Sequence, residues 1–161
     1  LTGGDDHTAR MWNLETGQQL RIWQHNNGVS LVSFDPMGGF VISSAGNAQT
    51  RIWNVKSGKQ VAVLTTSPVD VDGIWGDFPV FKTTTSAIAY SSDGKYVVTG
   101  HPNRELCVWR AQNGQDLGCW LTPRKDALKP GVVIQALAFS RDGRYIYSEL
   151  GNGLGQKWRI R

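Results

Sequence analysis

The chain has 161 residues, 40% of them hydrophobic and only 19% charged, with a net charge of +4, 19 glycines and seven tryptophans. That composition excludes a disordered chain and fits a sheet-rich globular one. No apolar run approaches the roughly 20 residues needed to cross a bilayer, and the start lacks the zones of a secretory leader, so a cytoplasmic location without a membrane anchor is expected.

In chain order, the first unit opens inside a repeat at Leu1, and we expect the native chain to continue upstream. Its tryptophan strand leads into the turn Asn13-Leu14-Glu15-Thr16-Gly17 and then a strand from Gln18 to Trp23. The second unit predicts strands over Val29 to Phe34 and Phe40 to Ser44, split by the turn Asp35-Pro36-Met37-Gly38. It continues through Ile52-Trp53-Asn54-Val55-Lys56-Ser57-Gly58 to a strand from Lys59 to Leu64. The third unit repeats the order: Ser86 to Tyr90, the turn ending at Gly94, Tyr96 to Thr99, the segment from Val108 to Gly114, and Gln115 to Trp120. The fourth has Val133 to Phe139, the turn ending at Gly143, Tyr145 to Ser148, and a closing strand from Gln156 to Arg161 that contains Trp158. Runs of this length, rich in β-branched and aromatic residues and punctuated by Gly turns, give four strands per unit.

Self-similarity at this period is the signature of solenoids and propellers. With these residues on the page, the chain resembles the WD-repeat β-propeller family over essentially its whole length. The resemblance implies an all-β fold of four-stranded antiparallel blades, strands a to d running outward from the centre. About four blades are represented: blade remnants at 1–23, a blade at 24–64, a blade with a long insertion at 65–120, and a last blade at 121–161. Because the closing strand would be a strand c with no strand d after it, the resemblance implies the C-terminal part of a larger ring, with upstream blades of the same propeller as its first partner.

The family's hydrogen-bond network links a His before strand a, a Ser or Thr on strand b, an acid in the b-c turn and the Trp of strand c. Carried over residue by residue, His25, Ser43, Asn47 and Trp53 match all four places, with Asn47 standing for the acid. The first blade offers Thr2, Asp6 and Trp12, the third Thr99, Asn103 and Trp109, and the fourth Ser148, Asn152 and Trp158, with no His at the matching place.

The repeats are unequal. Trp12 to Trp53 spans 41 residues, Trp53 to Trp109 spans 56 and Trp109 to Trp158 spans 49. The excess lies between strand d and the a-b turn, so the insertions are d-to-a loops, and long loops on a rigid scaffold are where function concentrates. The first, Thr66 to Thr85, carries Asp70, Asp72, Trp75, Asp77 and Phe78; the second, Thr122 to Gly131, carries Arg124, Lys125, Asp126 and Lys129. One reading is a protein-partner site anchored by Trp75 and Phe78, with charge complementarity from Arg124 and Lys125. The resemblance adds Asp5, with Gly46, Pro102 and Gly151, on the same side of the disc. The other reading is that the two loops pack on each other.

No catalytic residue, metal site or cofactor is expected. His7, His25 and His101 all fall in turns, and none stands at metal-ligand spacing from another His or Cys. Asp70-Val71-Asp72-Gly73 opens like a calcium loop, but Ile74 replaces a ligand and no Glu follows at the required place. Cys107 and Cys119 are equidistant from position 113 and face each other if the hairpin is in simple register; a reducing cytoplasm then favours two free thiols. Basic residues are spread over every unit rather than gathered into a groove, which argues against nucleic acid. The function expected is a non-catalytic interaction scaffold or sensor within a larger multidomain protein. The alternatives are a nucleic-acid-binding propeller using Arg124, Lys125 and Lys129, or chemistry in the 66–85 insertion.

Overall fold

The computed structural model describes residues 1–46, 49–65, 85–102, 104–121 and 133–160. Within them the chain is all-β, with fourteen strands in four antiparallel sheets and no helix. The first sheet holds β1 (Thr2–Gly3), β2 (Thr8–Trp12) and β3 (Gln19–Gln24). The second holds β4 (Val29–Phe34), β5 (Phe40–Ala45), β6 (Gln49–Asn54) and β7 (Gln60–Leu64). The third holds β8 (Ala87–Tyr90), β9 (Tyr96–Gly100), β10 (Glu105–Arg110) and β11 (Asp116–Leu121). The fourth holds β12 (Ile134–Phe139), β13 (Tyr145–Leu150) and β14 (Gly155–Arg159). The last strand starts and ends earlier than the expected Gln156 to Arg161, and most other boundaries differ by a residue or two, within the fraying of element ends.

Each sheet is a meander whose turns dictate its register. Gly38, Gly94 and Gly143 in the a-b turns have φ of 71°, 69° and 69°, a left-handed conformation that glycine reaches without the Cβ clash other residues meet. The serines just before two of these turns complete them. Ser91 Oγ and Ser140 Oγ each accept from the backbone N–H of the first residue of the next strand, Tyr96 and Tyr145, at 2.9 Å. In the second sheet a carboxylate does the same work, because Asp35 Oδ1 accepts from Phe40 N at 2.6 Å.

The core lies between sheets. Val41 and Trp53 pack on Ala9 and Trp23 of the first sheet; Val97, Cys107 and Trp109 pack on Ile42, Ile52 and Leu64 of the second; Ile146 and Trp158 pack on Val98, Leu106 and Val108 of the third. Strand alternation explains this: Trp53, Trp109 and Trp158 face the preceding sheet, while Ile52 and Val108, one residue before the first two, face the following one. Burying such large side chains supplies about 1.5–3 kcal/mol each, so the sheets stack as a continuous row.

One expectation is overturned here. Cys107 and Cys119 are direct cross-strand partners of β10 and β11, as their symmetric spacing predicts, but they are joined in a disulfide and no described cysteine is free. Their Cα atoms are 4.1 Å apart, close enough for the sulfurs to be joined, against the free thiols expected from a reducing cytoplasm.

Candidate protein-interaction face

At one end of every sheet, the chain entering strand a is bonded to a b-c turn. Val29 N donates to Gly4 O at 3.0 Å, Gly46 N to Gly28 O at 3.1 Å, Ser86 N to Gly100 O at 2.8 Å and Gly151 N to Val133 O at 2.9 Å. The d-to-a connections and the b-c turns therefore share one face. Asp5 lies there, exposed, with its carboxylate against Gly28: a Cβ at Gly28 would meet Asp5 Oδ1 at 3.1 Å. Gly46, Pro102 and Gly151 sit in the corresponding turns.

These turns hold strain as well. His7 and Arg104, at equivalent places in their b-c turns, have φ of 66° and 67°, where the fourth unit has Gly153 at 80°. A non-glycine side chain in this region costs on the order of 1 kcal/mol or more and persists only where its surroundings enforce it.

Beneath the face runs a row of buried polar relays. Trp53 Nε1 donates to Ser43 Oγ at 2.7 Å, and the same oxygen is 2.7 Å from His25 Nε2. An indole N–H can only donate, so Ser43 Oγ accepts from Trp53, while the direction of the bond between Ser43 and a neutral His25 follows the imidazole tautomer. Burial, and after it the Arg51 charge, pull the His25 pKa down to about 4, in keeping with that neutral state. The Trp53 ring is shared by His25 edge-on at 5.6 Å, Trp23 at 6.3 Å and the Arg51 guanidinium at 5.9 Å.

The third sheet carries the same relay by another route. Trp109 Nε1 donates to Thr99 Oγ1 at 2.9 Å, which lies 3.0 Å from His101 Nε2. No histidine precedes strand a within this unit of the sequence; His101 instead arrives from the b-c turn, two residues beyond Thr99. The alternating spacing of Thr99 and His101 was the available signal. The outer units have the pair alone: Trp12 Nε1 to Thr2 Oγ1 and Trp158 Nε1 to Ser148 Oγ, both at 2.9 Å. Asp6 turns to its own strand instead, accepting from the Thr8 backbone at 3.2 Å and hydroxyl at 2.7 Å and pairing with Arg10. The Thr8 hydroxyl, more than Arg10, holds its carboxyl below the usual range. Asn152 Oδ1 accepts from Leu154 N at 3.1 Å within its turn.

Sequence reasoning also missed how the first insertion returns. Thr85 Oγ1 lies 2.7 Å from Thr50 Oγ1, which donates to Ser44 Oγ at 3.0 Å, a buried hydroxyl cluster tying the third unit to the second. Ser86 Oγ, the next residue, is within bonding distance of Gly100 O at 3.0 Å and Ile134 O at 2.6 Å, tying it to the fourth. Trp75, Phe78, Arg124, Lys125 and Lys129 lie outside the described residues, as do Asn47, Asn103 and the candidate calcium segment Asp70 to Gly73.

Sheets stacked through strand-c tryptophans, with hydroxyl relays under a shared loop face, define blades of the WD-repeat propeller type. The chain carries WD repeats: the family model described as WD domain, G-beta repeat matches residues 17–54 and 80–110. Among curated relatives it is similar to eukaryotic translation initiation factor 3 subunit I of Candida glabrata, 24% identical over 157 residues, covering 90% of this chain and 41% of that protein. The same subunit of Phaeosphaeria nodorum is 26% identical over 144 residues, covering 85% of this chain and 40% of that protein. Human U3 small nucleolar RNA-interacting protein 2 is 28% identical over 124 residues, covering 77% of this chain and 24% of its own length. The chain thus spans about two fifths of the translation-factor subunits it matches. No helix of the described residues is long and apolar enough to cross a membrane.

Proposed function

We propose that this chain is a non-catalytic protein-interaction platform whose partner docks on the face shared by the d-to-a connections and the b-c turns. The carrying observation is the double anchorage of Thr85 and Ser86. A loop whose return end is pinned by buried hydroxyls to the blades on both sides presents its side chains from a fixed base, which lowers the ordering cost of binding. In this proposal Trp75 and Phe78 of the first insertion would supply the anchors and Arg124 and Lys125 of the second the charges, with Asp5 on the rim. Two aromatics as desolvated anchors beside a charged pair are what a hot spot and its steering charges require. We further propose that residues 1–23, 24–64, 65–120 and 121–161 act as blades of a larger ring in a cytoplasmic multidomain protein. WD-repeat relatives that are subunits of a translation factor fit a scaffold within an assembly.

The test is a pull-down from the full-length protein, comparing wild type with a folded Trp75→Ala, Phe78→Ala, Arg124→Ala, Lys125→Ala variant. Loss of one specific protein partner is expected; an unchanged set of partners overturns the site. A second reading draws on the human relative, whose name has it interacting with an RNA, and on Arg124, Lys125 and Lys129. It requires RNA binding whose affinity falls steeply with salt and is lost when those three residues become alanine.

A further inference from the structure

A buried carboxylate stands beside the disulfide. Glu105 and Cys107 are two apart on β10 and so share a face, and Cys119 stands directly across from Cys107 on β11. The Glu105 carboxylate and the two sulfurs all lie within 4.8 Å of one another. Cys107 is fully buried and Glu105 nearly so, whereas Cys119 is exposed, which gives solvent and reagents one way in.

We propose that, with the disulfide reduced, Glu105, Cys107 and Cys119 form a site for a borderline-soft divalent cation such as Zn²⁺, so that disulfide and metal are alternative fastenings of β11 to β10. Zinc is held by thiolates at about 2.3 Å and carboxylates at about 2.0–2.2 Å, which places tetrahedral ligand atoms roughly 3.5 Å apart, a spacing this cluster reaches by small side-chain rotations once the sulfurs separate. Two thiolates select zinc over the hard cations magnesium and calcium, and three protein ligands leave a fourth position to water on the exposed Cys119 side. A dithiol reductant gives two electrons and two protons to the disulfide, leaving two thiols and becoming a disulfide itself; Zn²⁺ then binds the two thiolates and releases both protons. β11 ends at Leu121, where the second insertion begins, so either fastening sets how firmly that strand is held to β10.

The experiment titrates Zn²⁺ and Co²⁺ into the purified protein, after anaerobic reduction and after oxidation with oxidised glutathione, counting metal per chain. Cys119→Ser and Glu105→Gln variants, checked for fold by circular dichroism, run alongside. The exposed position of Cys119 keeps its variant from disturbing the core. The expected result is one metal per reduced chain, a thiolate-to-cobalt charge-transfer absorption, no binding to the oxidised chain, and affinity losses of at least about tenfold in either variant. A reduced chain that takes up no metal, equal binding by the oxidised chain, or variants that bind like the parent overturns the site.

Discussion

The second and third blades solve one problem in two ways. In both, a buried hydroxyl on strand b accepts from the strand-c tryptophan and meets a histidine Nε2: Ser43 with Trp53 and His25, Thr99 with Trp109 and His101. In the second blade the histidine comes from the d-to-a connection, 18 residues away in sequence, and so locks that connection to strand b. In the third it comes from the b-c turn, two residues away, leaving the d-to-a side free to carry the long insertion, anchored through Thr85 and Ser86 instead. In both blades the hydroxyl is satisfied, while the chain segment that supplies the imidazole differs.

Breaking the hydroxyls should separate the blades. Ser43→Ala strands both the indole N–H and His25 at a fully buried position and is expected to cost about 3 kcal/mol in urea unfolding. Acidification tests the second blade alone. His25 has a depressed pKa in the folded chain, about 4 against an ordinary 6.5, so the unfolded state takes up the proton first. Its stabilisation is complete above about pH 6.5 and is lost as the pH falls toward 4, on the order of 2 kcal/mol; a His25→Gln variant should show a flatter profile over that window. Thr99→Val, which keeps the shape and removes the hydroxyl, is expected to cost about 2 kcal/mol, with the d-to-a side undisturbed by hydrogen exchange. Ser148→Ala, in an outer blade with the pair alone and a half-buried Trp158, is expected to cost about 1 kcal/mol. The smallest effect is a gain: His7→Gly relieves the positive φ in the first b-c turn and should add about 0.5–1 kcal/mol in thermal unfolding.

The blades were legible in the sequence because their punctuation is physical. Gly38, Gly94 and Gly143 sit where φ must be positive, and Trp53, Trp109 and Trp158 recur because each fills the gap to the preceding sheet. The His25, Ser43, Trp53 arrangement was readable for the same reason, each residue occupying a fixed place in the repeat. His101 was not, because its role depends on proximity in space rather than on place in the repeat. The Cys107–Cys119 register followed from symmetry about position 113, but its bonding state turned on a closeness of approach that sequence spacing does not set. The anchors at Thr85 and Ser86 were hidden because their partners, Thr50, Ser44 and Ile134, belong to other units.

Docking of a protein partner on the loop face, and not on the opposite one, is what we propose. It is tested most directly by placing a photo-crosslinking amino acid in the full-length protein at position 75, and separately at position 37, where Met37 is 79% exposed in an a-b turn on the far side. One discrete crosslinked protein is expected from position 75 and none from position 37. Crosslinking from position 37 with none from position 75 would contradict it.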